Sequence, residues 1–84
     1  MANVIIYSKN FCPYCERAKS LLKSKNVNFE ERNIDGNAEE IQKLMEKTGW
    51  RTFPQIFIND EFIGGFDDMN ALDQAGKLNS LLGI

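Results

Sequence analysis

The chain has no histidine, and only two cysteines, two prolines and one tryptophan among its 84 residues. Zinc normally takes four ligands, so two cysteines without histidine argue against a structural zinc site within the chain. No apolar run approaches the ~20 residues that cross a bilayer, so no membrane association is expected. Positive charge is not in excess: 10 Lys and Arg stand against 12 Asp and Glu, for a net charge of −2. The basic face carried by most nucleic-acid binders is therefore not expected either. The stretch Met1–Tyr7 lacks the basic segment and long apolar run of a secretory signal. Internal repeats, low-complexity tracts and linkers are also missing. What remains is 43% hydrophobic and 26% charged, an ordinary soluble composition, and its length suits a single domain over 1–84.

The cysteines that are present, Cys12 and Cys15, are close neighbours. They cannot join distant parts of a fold, and closing so short a loop removes little chain entropy. Cysteines kept for reactivity in a reducing compartment, the cytoplasm, fit this usage better.

Hydropathy patterning predicts the elements that hold them. Val4-Ile5-Ile6-Tyr7 reads as a strand covered on both faces. A helix follows from near Cys12, with Pro13 at its first position and an apolar face of Cys15, Ala18, Leu21 and Leu22. Asn26 closes it. Val27–Ile34 alternates apolar and polar residues, as a more exposed strand does. Asn37, with Glu40 three residues on, starts a second helix through Ile41, Leu44 and Met45, and Gly49 stops it. Gln55–Ile58 and Glu61–Gly64 flank Asn59-Asp60, a two-residue hairpin turn. Asp67 or Asp68 starts a last helix that Gly76 ends, and Leu78, Leu81 and Leu82 form an apolar tail packed on the core. A strand–helix–strand unit followed by a helix and a hairpin makes an α/β fold. The plan is thioredoxin-like: a four-stranded mixed sheet flanked by helices on both faces.

Cys12-Pro13-Tyr14-Cys15 falls where the first strand hands over to the first helix. A C-x-x-C pair there is a redox signature. A free thiol is only about 3% thiolate at pH 7. A helix N-terminus contributes up to ~2 kcal/mol, which lowers a thiol pKa by roughly 1.5. Cys12 is thus the expected attacking thiolate, and Cys15, a turn inside on the buried face, the resolving thiol.

These motifs resemble the glutaredoxin family, in its dithiol bacterial class. The likeness rests on Tyr7-Ser8-Lys9 before Cys12-Pro13-Tyr14-Cys15, on Arg51-Thr52-Phe53-Pro54-Gln55-Ile56-Phe57-Ile58, on Gly64-Gly65 and on Asp67-Asp68, and spans essentially the whole chain. It implies glutathione as cosubstrate, with no bound cofactor or metal. Pro54 would follow a cis bond and face the cysteines. The Phe53 backbone would pair with the cysteinyl unit of glutathione like an added strand. Lys9 and Arg51 would meet its glycine carboxylate, while Gly65, Phe66, Asp67 and Asp68 would hold its γ-glutamyl end. Tyr14 would flank the sulfur and Thr52 support the groove. On the residues alone, Lys9 and Arg51 also read as surface charges, and Asp67 and Asp68 as helix caps. Phe53 stands where the family usually has valine, and Phe66 where cysteine or serine is common; Trp50 adds a further bulky aromatic.

The expected partners are glutathione and disulfide-bearing or glutathionylated proteins, with ribonucleotide reductase a candidate, and the expected state is a monomer. Two alternatives stand beside this reading. One is a glutaredoxin-like donor recycled by thioredoxin reductase. The other is a dimer binding an iron–sulfur cluster through Cys12 and glutathione.

Overall fold

The computed structural model describes residues 2–84; Met1, the first residue of the N-terminal stretch read above, lies outside them. The elements are β1 (Val4–Ser8), α1 (Pro13–Ser24), β2 (Glu30–Asn33), α2 (Ala38–Thr48), β3 (Gln55–Ile58), β4 (Glu61–Gly64), α3 (Phe66–Gln74) and α4 (Leu78–Leu82). The strands form one sheet in the order β2-β1-β3-β4. β1 runs parallel to β2 and antiparallel to β3, and β3 and β4 form the hairpin. This is the mixed, helix-flanked sheet expected of a thioredoxin-like chain.

Alternation along β1 divides the core. Val4 and Ile6 join Ala18 and Leu22 of α1, Met69 of α3, and Leu78 and Leu82 of α4 on one face. Ile5 and Tyr7 pack with Phe57 and with Ile41 and Leu44 of α2 on the other. The apolar run is therefore covered on both sides, as continuous apolar strands usually are, although more fully toward α1. The helix ends follow their residue types. Asn37 Oδ1 accepts from the Glu40 N–H (3.1 Å) to cap α2, and Gly49 closes it at φ 75°, a left-handed geometry that glycine adopts freely. Asn26, at φ 57°, turns the chain out of α1, and Asn59 and Asp60, both left-handed, make the tight hairpin turn.

Three expectations need correction. The second strand is Glu30–Asn33, shorter than Val27–Ile34, because its only strand partner, β1, pairs from Ile5 opposite Glu30 to Ser8 opposite Asn33. Val27 instead packs into the core before pairing begins. The third helix starts at Phe66, with Gly65 rather than Asp67 or Asp68 at the cap position. Lastly, the tail packs Leu78, Leu81 and Leu82 on the core as expected, but it does so as a further helix, α4, so the helix begun at Phe66 is not the last.

The connection from α2 to β3, residues 49–54, has no ladder of its own and is held from below by Gln55. That side chain is fully buried. Its amide donates to the carbonyls of Trp50 (3.0 Å) and Thr52 (3.2 Å). Its carbonyl oxygen accepts from the Thr48 hydroxyl (2.8 Å), which in turn accepts from the Trp50 N–H (3.1 Å). On the far side of the sheet centre, the buried Ser8 hydroxyl donates to Glu31 Oε2 (2.7 Å), which Lys19 also meets at 3.0 Å while bonding Glu16 at 2.6 Å. The Ser8 bond first, and then Lys19, hold the Glu31 carboxyl below its usual range.

Two outcomes follow for stability. Gln55→Met keeps the volume but strips two loop carbonyls and a hydroxyl of their partner, for a loss of about 1–3 kcal/mol. Thermal unfolding reads this at about 4–8 °C per kcal/mol in a domain of this size. The fluorescence of Trp50, the chain's one tryptophan, changes with it if the loop has been released. Because Glu31 has a lowered pKa when folded, its contribution is present above the ordinary carboxylate range and is lost as pH falls through the lower folded value. Its side chain is 35% exposed, so Glu31→Gln should remove no more than about 1 kcal/mol at pH 7. Urea unfolding at pH 7 and pH 3 should show the difference between the two proteins shrink in acid.

Candidate active site

The site forms where two connections meet at one end of the sheet. Antiparallel pairing sets Tyr7 opposite Gln55, so the segment leaving β1 and the segment entering β3 emerge side by side. The first carries Lys9 to Cys12, and the second carries Trp50 to Pro54.

Cys12 is the N-cap of α1, with extended backbone, and its sulfur accepts the Cys15 N–H at 3.2 Å. The place that serine or aspartate usually takes at a helix start is thus filled by sulfur. Pro13 stands at the first helical position, where no N–H is needed. Cys12 is half-buried, whereas Cys15 is wholly enclosed. The two are joined as a disulfide, their Cα atoms 5.2 Å apart. One sulfur therefore faces outward with the second directly beneath it, the division of labour expected for attack and resolution. From the opposing connection, the Phe53 carbonyl oxygen comes within 3.7 Å of Cys12 Sγ, and the Phe53–Pro54 bond is cis.

Two hollows share Thr52 and Phe53. A groove of about 330 Å³ runs beside Tyr14, Trp50, Pro54 and the start of α3 from Gly65 to Asp68. A more open depression of about 370 Å³ contains Cys12 with Lys9 and Arg51. The structure thus brings Lys9, Cys12, Tyr14, Arg51, Thr52, Phe53, Pro54, Gly65, Phe66, Asp67 and Asp68 to one face, with Cys15 under it. The charges separate by sign: Lys9 and Arg51 lie in the open depression, and Asp67 and Asp68 line the groove. Such a face suits an extended zwitterion carrying a sulfur in its middle.

Several of these side chains also have structural work. Asp68 reaches back across the first turn of α3, its Oδ2 accepting the Gly65 N–H at 3.0 Å. That bond requires glycine at 64, where φ is 121° and a Cβ would lie only 2.5 Å from the same oxygen. The Phe53 ring carries the Lys9 ammonium 5.5 Å from its centroid, a cation–π seat. Phe66 pairs with Tyr14 at 6.3 Å, and the Arg17 guanidinium lies 5.0 Å from the Tyr14 ring centroid. Trp50 lines the groove and meets Phe62 edge to face, their ring centroids 5.1 Å apart. Asn10 and Phe11, which motif reading leaves out, border the depression, and their place just before Cys12 in sequence is the one signal that points to them. Gln55 and Thr48 give no such signal, because their role depends on mutual burial.

A family model for glutaredoxin matches residues 4–63. Glutaredoxin 3 of Escherichia coli (strain K12) is 55% identical over 82 residues, spanning 98% of this chain and 99% of its own. A glutaredoxin of Pseudomonas aeruginosa is 49% identical over 82 residues, with 98% of each chain covered. Among solved structures, buckwheat glutaredoxin in complex with glutathione superposes at TM-score 0.89 and 30% identity, over 98% of this chain and 77% of that one. The solution structure of Brucella melitensis glutaredoxin gives TM-score 0.82 at 49% identity, over 98% and 89%. A paired Cys-Pro-Tyr-Cys at a helix start, a proline loop across from it and full-length identity of this order together place the chain in the glutaredoxin family.

Proposed function

We propose that the protein is a glutathione-dependent thiol–disulfide oxidoreductase that reduces protein disulfides and removes glutathione from mixed disulfides. The observation that carries this reading is the Cys12 sulfur, half-exposed at the head of α1 and accepting the Cys15 N–H at 3.2 Å. In the reduced protein the same N–H and the positive end of the helix favour the thiolate at Cys12. Its low basicity also makes Cys12 a good leaving group once it is part of a mixed disulfide.

Two routes use this pair. With a glutathionylated substrate, the Cys12 thiolate attacks the glutathione sulfur, a Cys12–glutathione bond forms and the substrate thiolate leaves. A second glutathione thiolate then attacks that sulfur, yielding oxidised glutathione and free Cys12. With a protein disulfide, Cys12 opens the bond and one protein thiolate departs. Cys15 then surrenders its proton to solvent and displaces the second, leaving the Cys12–Cys15 disulfide seen here. Two glutathione molecules restore the dithiol and are themselves oxidised. The likeness to a glutaredoxin solved with glutathione supports the choice of reductant. So does the face itself, with cations Lys9 and Arg51 toward one end for a terminal carboxylate and Asp68 toward the other for an ammonium group. A reducing compartment such as the cytoplasm is the setting in which this cycle runs toward reduction.

Cys12→Ser should abolish both routes. Cys15→Ser should retain deglutathionylation of a small mixed disulfide and lose dithiol reduction of a protein disulfide, in an assay coupled to glutathione and glutathione reductase. Replacing that couple with thioredoxin reductase should stop turnover; faster turnover with thioredoxin reductase would reassign the electron source. Asp68→Asn keeps an oxygen for the Gly65 N–H but removes the charge. It should raise KM for the glutathione mixed disulfide about tenfold, the loss of one charge-assisted contact, with little change in kcat.

A further inference from the structure

Phe11, next to the nucleophile, stands apart from the chain's other phenylalanines and is far more exposed than Tyr14, at 48%. Its side chain is 103% exposed, whereas Phe29, Phe53, Phe57, Phe62 and Phe66 are buried or half-buried. Its backbone sits at φ 53°, a left-handed conformation that glycine or asparagine adopts easily and a bulky side chain does not. A residue that gains nothing from the core and opposes its own backbone preference is placed against the needs of the fold, and such outliers cluster where something binds. The depression it lines also holds Cys12, Lys9 and Arg51, and no carboxylate lines it. Asp35 approaches the same connection, but its two oxygens accept from the Asn10 N–H and side-chain amide, each at 3.2 Å.

Resting on the reductase reading above, we infer that Phe11 is the docking anchor for protein substrates, and that it favours polypeptides with acidic residues beside their reactive disulfide. Glutathione cannot be the group that covers it. A tripeptide of glutamate, cysteine and glycine has no apolar side chain to lay on an aromatic ring. A polypeptide whose sulfur bonds to Cys12 has, by contrast, neighbouring residues that can lie in the depression Phe11 shares with Cys12. An exposed aromatic at the centre of such a contact is the usual form of a binding anchor. Lys9 and Arg51 beside it then select acidic flanks and speed encounter with them.

The test uses the native chain, Phe11→Gly and Phe11→Tyr on three substrates. Two are otherwise identical peptides closed by a disulfide, with either two glutamates or two lysines next to the cysteines; the third is the small mixed disulfide of glutathione with 2-mercaptoethanol. The native chain should prefer the glutamate peptide. Phe11→Gly should lose about tenfold in kcat/KM on that peptide, the scale of one aromatic ring left uncovered. It should stay within about twofold on the small substrate and unfold at an equal or higher temperature, since glycine relieves the backbone. Phe11→Tyr should keep the peptide activity. Undiminished peptide reduction by Phe11→Gly, an equal loss on all three substrates, or a preference for the lysine peptide would overturn the anchor. So would self-association of the native chain that Phe11→Gly abolishes, which would make a second copy the occupant. A native chain inactive on the small mixed disulfide would instead overturn the reductase reading itself.

Discussion

A single backbone amide directed at a sulfur organises this protein. The Cys15 N–H belongs to the first turn of α1, where helices leave donors without partners, and here the partner is the Cys12 sulfur at 3.2 Å. The cap of the helix and the reactive group are the same atom. Anything that fixes α1 therefore fixes the chemistry: the Cys15, Ala18 and Leu22 stripe holds the helix on the sheet, and its burial decides that Cys15 waits beneath while Cys12 meets solvent. An oxygen cap would serve the helix at least as well. Sulfur makes the same position reactive.

The opposing half of the site comes from forty residues further along the chain, and the sheet delivers it. With Tyr7 opposite Gln55, the last residues before β3 lie beside the first residues after β1, so Phe53 O falls 3.7 Å from Cys12 Sγ. The connection itself has little to hold it except Gln55, whose buried amide replaces the missing ladder with two hydrogen bonds to carbonyls. One residue thus serves both as the first position of a central strand and as the support for a binding loop. Buried polar groups of this kind are worth most when every partner is satisfied, and no buried side-chain nitrogen or oxygen among the described residues lacks one.

What could be read from residue order was whatever local chemistry dictates. Pro13 after Cys12, Asn37 ahead of Glu40, Gly49 and Asn59-Asp60 each act within a few residues, and their helices and turn lie where those residues put them. What escaped was set by distant partners. Val27 and Phe29 alternate like a strand, yet both turn to the core and pairing with β1 begins only at Glu30. Asp67 and Asp68 look like caps, but Gly64 leaves space for Asp68 to reach backward from inside the helix. Gln55 sits in a run that reads as apolar strand, and nothing in that run reveals that Thr48 and the Trp50 carbonyl will surround it. Phe53 and Phe66 looked like intrusions into a family pattern. In place, one is the seat of Lys9 and the other closes against Tyr14.

The outer strand β2 has a consequence for how many molecules can coexist in solution. Glu30, Glu31, Arg32 and Asn33 are all exposed, and β2 ends the sheet on one side. An unpaired strand edge invites the strand of a neighbouring molecule to add on, the first step of fibrous or amorphous aggregation. Three charged side chains in succession oppose that addition, because each incoming strand would have to strip them of water. At high protein concentration, this border of the sheet should stay a poor template.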